Sequence, residues 1–124
     1  MSGAVRRWDT VLLARLAAAA IVVVMVHYFL TSGAIRSDNP FLVPDALILL
    51  FALVTPLLPR RAAVPGMIFA FAWAAAVLTV SLCTHVVVRD VFRVDHLFMI
   101  VPSLVLVVLL GRVAARGGER PAAR

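Results

Sequence analysis

Few side chains in this chain can do chemistry: three histidines, His27, His85 and His96, with Asp45 and Asp95 the acids best placed to join them. Imidazoles beside a carboxylate can bind a transition metal, carry protons, or hydrogen-bond the polar head of a quinone or lipid. No two histidines stand at the i, i+4 spacing of a helix-borne metal site. Only a fold that gathers several elements can bring them together. Cys83 is the only cysteine, so an intrachain disulfide and a CxxC motif are impossible. That removes the quinone-linked disulfide-forming membrane enzymes, which need cysteine pairs. No nucleophile–base pair, phosphate loop or nucleic-acid motif is present, and the residues by themselves name no cofactor or metal.

The elements that must position these groups follow from composition. Of 124 residues, 64% are hydrophobic, and the mean hydropathy is +1.07. A soluble domain carries about 45–50% apolar residues, so a water-facing surface has no room for the excess. The apolar residues fall in blocks split by short charged or proline-bearing segments, which predicts an all-α integral membrane bundle of four transmembrane helices. The spans are placed at about 10–30, 41–58, 62–88 and 94–113. This length predicts one four-helix domain with no separate soluble catalytic domain. Pro44 and Pro65 are placed in first helical turns, where a missing N–H costs little. Pro56 and Pro59 close span two, Pro59-Arg60-Arg61 reads as a tight turn, and Pro102 falls inside span four. The tail Arg116–Arg124 reads as disordered.

The basic residues set the orientation. All twelve are arginine. Nine lie at one end of the spans: Arg6, Arg7, Arg15, Arg60, Arg61, Arg112, Arg116, Arg120 and Arg124. The other end has three, Arg36, Arg89 and Arg93, each with an aspartate nearby. The positive-inside rule assigns the nine to the cytoplasm of a cell membrane, N-in and C-in. Arg15 is expected to snorkel inward. The absence of lysine beside abundant Ala and Val points to a GC-rich, bacterial genome. Span one has the basic start of a signal peptide, but an apolar stretch of about 20 residues exceeds the usual 7–15. It is expected to stay as a helix.

With that orientation, His27, Asp45, His85, Asp95 and His96 all fall at the outer helix ends, and every helix contributes one. At about 100° per residue, Ala74, Ser81 and His85 share a stripe of span three with Ala70 close by. Ala20 shares one with His27, Ala52 and Pro56 with Asp45, and Ser103 with His96. Small residues mark close helix packing, so these stripes are expected to face the bundle interior and converge the five groups on one pocket. Three roles stay open: interfacial anchoring or packing, a proton or small-ligand site, and a metal or haem site. Phe69, Phe71 and Trp73 are read as lipid contacts or packing, and Trp8, Tyr28 and Phe41 as interfacial aromatic belts. Gly66, Ala70 and Ala74 form a small-xxx-small ladder, either internal packing or a face for a protein partner or a second copy.

Four features give the chain its layout: an arginine early in span one (LLARLAAAA), an acid opening span two, the turn LLPRR, and the histidine of LCTHVVV ending span three. In these it resembles the DoxX-like family of small bacterial four-helix membrane proteins. His27-Tyr28-Phe29 replaces the glycine-and-lysine ending of span one associated with that family. The resemblance implies a link to membrane redox complexes, quinone-linked thiosulfate oxidation among them. The expected function is a non-catalytic subunit or accessory protein of a membrane complex, the alternative a quinone-interacting component that uses the outer cluster. A small multidrug exporter is disfavoured, because span one has no acid between Thr10 and Leu30.

Overall fold

In the computed structural model, residues 9–118 are described. Arg6, Arg7, Trp8, Arg120 and Arg124 lie outside them, as does most of the tail expected to be disordered. Four α-helices follow in order: α1 Thr10–Thr31, α2 Leu42–Val54, α3 Arg60–Arg89 and α4 Val94–Gly118, with a 3-10 turn Thr55–Leu57 continuing α2. No strand occurs among the described residues. The chain is all-α.

Local chemistry explains the helix ends. The Asp9 side chain accepts a hydrogen bond from the Val11 amide (3.1 Å) and caps α1. At the far end Thr31 and Ser32 return their hydroxyls to the carbonyls of His27 and Tyr28 at 2.7 and 2.6 Å. Gly33 then takes φ +66°, a left-handed conformation that turns the chain out of the helix. Pro56 removes the N–H that would bond to Ala52, and the last turn of this segment tightens to 3-10. Arg60 and Arg61 already belong to α3, so the expected three-residue turn reduces to Leu58-Pro59, with Pro59 at the cap. Pro65 is inside α3 and not in its first turn, because the helix starts two residues earlier than read. α3 ends at Asp90 in the left-handed conformation (φ 54°), and the Asp90 and Val91 amides both turn to the His85 carbonyl. α4 runs past Gly111 to Gly118, beyond the predicted limit of 113.

α3 touches each of the other three helices, and it supplies the largest share of the core. Phe71, Ile48, Met67 and Leu110 are the largest enclosed apolar side chains. Of the aromatics read together, Phe71 is core at 1% exposure while Phe69 is 54% exposed. Trp73 donates its indole N–H to the Pro44 carbonyl (3.2 Å), tying α3 to the first turn of α2.

Much of the outside is apolar too. Leu16, Val23, Leu30, Val87 and Phe98 are all exposed, a surface that water would not tolerate. Among the described residues three helices are long and apolar enough to cross a membrane: Thr10–Thr31, Arg60–Arg89 and Val94–Gly117. The second apolar segment, Leu42–Leu57, is shorter. These features mark a membrane protein.

The small-residue ladder is used within the chain. Ala70 and Ala74 are buried, and a Cβ on Gly66 would stand 3.2 Å from Thr55 Cγ2 and 3.3 Å from Thr55 Cβ. Thr55 is itself pinned through its hydroxyl to the Phe51 carbonyl at 2.7 Å. Gly66→Leu is therefore expected to cost about 1–3 kcal/mol, the usual penalty of overpacking. Reversible unfolding in mixed detergent micelles measures it.

Candidate functional site

The Asp45 end of the bundle holds the polar groups. Asp45 lies in the first turn of α2 and is 6% exposed. Its place follows from the Asp45 amide bonding the Phe41 carbonyl (2.8 Å) and from the Trp73 clamp on Pro44. Tyr28 of α1 stands beside it. Across from them, the Ser81 hydroxyl is 3.2 Å from His96 Nε2. His85, one turn on, has its Nδ1 2.8 Å from the Ser81 carbonyl. The two imidazole rings lie 5.6 Å apart, inclined at 59°.

A chain of polar contacts leads from this interior to the rim. His96 Nδ1 is 3.4 Å from Asp95 Oδ1. Asp95 in turn receives Arg93 through both oxygens, Nη2 at 2.7 Å and Nε at 3.0 Å. These hydrogen bonds raise the Arg93 guanidinium above its ordinary range, with the Asp95 charge adding to them. Arg36 pairs with Asp38 at 3.5 Å in the adjoining loop.

These residues enclose a cavity of about 400 Å³, with His27, Asp45, His85, Asp95 and His96 all in its lining. Val24, Met25, Leu78 and Met99 supply an apolar floor. A second cavity of about 500 Å³ under the α1–α2 loop shares Tyr28, Ser81, His85 and Arg93 with the first. No family model, curated protein or solved structure matches this chain. The site therefore rests on its own geometry.

The five groups read from the sequence are thus brought to one cavity, but not equally. Asp45 is buried, His85 and His96 are half-buried, and Asp95 sits on the rim. His27 is exposed at the cavity's edge, and Ala20 on its stripe is exposed too, so that stripe does not face the interior. The stripes of α3 and α4 do: Ala70, Ala74, Ser81 and Ser103 are buried. Among the described residues no three His, Cys, Asp or Glu side chains are placed to hold a metal ion. Tyr28 and Arg93 are walls of the site that sequence reasoning gave other work, one to an aromatic belt and one to topology. The spacing Arg93-x-Asp95-His96 was the signal for the second.

At the opposite end, Arg60, Arg61 and Arg116 line an open cleft of about 970 Å³ between the start of α3 and the end of α4. Arg60 also pairs with Asp9 at 3.4 Å.

Proposed function

We propose that this chain is a plasma-membrane protein of four spans with both termini in the cytoplasm. In this proposal it serves as a non-catalytic component of a membrane redox complex, holding a lipid-soluble ring of the quinone class in the cavity at its outer end. The observation that carries the proposal is the convergence of His85, His96, Asp45 and Tyr28, from four different helices, on one cavity with an apolar floor. Ligand pockets usually measure about 300–1,000 Å³ and combine an apolar lining with a few polar groups. Titratable groups at membrane depth mark function by default. The layout shared with DoxX-like proteins favours the same class of partner.

The charge of the two ends supports the orientation. The end that includes Asp9 carries Arg15, Arg60, Arg61, Arg112 and Arg116, whereas Arg36, Arg89 and Arg93 at the other end are matched by Asp38, Asp45, Asp90 and Asp95. Arginine excess belongs on the cytoplasmic side. The segment Leu42–Leu57 rises roughly 26 Å as α-helix plus 3-10 turn, a few ångströms short of a core of about 30 Å. Local thinning accommodates such a mismatch.

Gentle detergent purification followed by solvent extraction and mass spectrometry tests the ligand. A quinone-class molecule is expected in the wild-type extract and is expected to be depleted from His85→Ala. Ligand-free wild-type protein with no copurifying subunit contradicts the assignment. A C-terminal reporter that is active only outside the cell contradicts the orientation.

A further inference from the structure

We infer that the cavity selects the reduced, hydroxyl-bearing form of its ring ligand over the oxidised, carbonyl-bearing form. This rests on the function proposed above and names which member of the ligand class the site takes. The basis is the direction of hydrogen bonds already committed within the protein.

His85 Nδ1 faces the Ser81 carbonyl at 2.8 Å. A carbonyl oxygen only accepts, so Nδ1 must carry the proton. The neutral ring then leaves Nε2 as a lone-pair acceptor. Among the described residues Nε2 has no hydrogen-bond partner, and His85 lines both cavities.

His96 is set the same way. Its Nδ1 faces Asp95 Oδ1 at 3.4 Å, and Asp95 is occupied by the two Arg93 contacts, which hold it as an acceptor. The proton therefore sits on Nδ1, and Nε2 accepts from the Ser81 hydroxyl at 3.2 Å. That uses the only proton Ser81 has, so its oxygen also offers lone pairs alone. Asp45 adds carboxylate oxygens to the same lining.

The polar surface is consequently rich in acceptors. The Tyr28 hydroxyl is committed to Asp45, and Arg93 gives its Nε and one Nη2 proton to Asp95 while its other N–H groups lie at the exposed rim. At His85 Nε2 and Asp45 a quinone, which brings acceptors only, would face lone pairs with lone pairs. A hydroquinone brings two O–H donors, one for His85 Nε2 and one for the Asp45 side. A site built of hydrogen-bond acceptors for a ligand hydroxyl rejects the analogue lacking it, because its own buried groups are then left unpaired.

The test uses the full chain in lipid nanodiscs at about pH 8, above the ordinary imidazole range. A short-tailed hydroquinone under anaerobic reducing conditions, the matching quinone, and the hydroquinone dimethyl ether are each titrated by calorimetry. The hydroquinone is expected to bind at least about tenfold more tightly than either analogue, the effect of one buried hydrogen bond of about 1.4 kcal/mol. His85→Phe, which keeps a ring at a half-buried helix end, is expected to shrink that ratio towards one. Equal or tighter binding of the quinone overturns the selectivity and leaves the binding site standing. Absence of binding by all three overturns both.

Discussion

Asp45→Leu is expected to make the protein more stable and at the same time to weaken ligand binding by about tenfold or more. The carboxylate is buried at 6% exposure, and among the described residues the Tyr28 hydroxyl is the one side chain that hydrogen-bonds it. Its neighbours in space are Tyr28 and the open cavity. A polar group buried without a full set of partners costs about 1–3 kcal/mol in proteins, so leucine should return on the order of 1 kcal/mol or more. Groups kept at such a cost are kept for something other than stability. Unfolding in mixed micelles and calorimetry with the hydroquinone measure the two effects on one sample. A loss of stability with binding unchanged would return Asp45 to the role of an interfacial anchor.

Phe71→Ala is expected to cost on the order of 2 kcal/mol, and Phe69→Ala less than about 1 kcal/mol. In soluble proteins Phe→Ala in a core costs about 3–5 kcal/mol, from lost transfer energy and from the cavity left behind. Lipid is as apolar as the bundle interior, so the transfer part largely vanishes and the cavity part stays. Phe71 is fully enclosed, and its removal opens that void. Phe69 instead faces outward, where lipid fills the space; it gives up only its contacts with Phe51 (5.1 Å, edge-on) and Trp73 (6.2 Å, stacked). Unfolding free energies of the two variants in the same micelles provide the comparison. Equal costs would mean that the bundle core is not packed as described.

The two phenylalanines show how far the sequence reaches. Both sit mid-span in an unbroken apolar run, and composition treats them alike. Only the rotation of α3 against α1 and α2 separates them. Asp45, His85 and His96 were legible because small residues lie beneath them at helical spacing: Ala52, Ala70, Ala74, Ser81 and Ser103. The same rule failed for His27, since alanine is so frequent in α1 that Ala20 carries no directional information. Arg15 reaches towards the arginine-rich end of the bundle, where its guanidinium meets the Leu58 carbonyl at 3.4 Å while its buried Nε has no partner. The end of the 3-10 turn, which offers that carbonyl, is a tertiary neighbour that sequence distance hides.

Helix number, approximate bounds and the all-α class were properties of the sequence alone. They depend on hydropathy, proline and capping within a few residues, and each such term acts before any helix meets another. Which face of each helix turns inward, and which hydroxyl meets His96 Nε2, was decided only by the tertiary structure. The Ser81 hydroxyl comes from α3 and His96 from α4, and only the packing of the two helices brings them to 3.2 Å, within hydrogen-bond range.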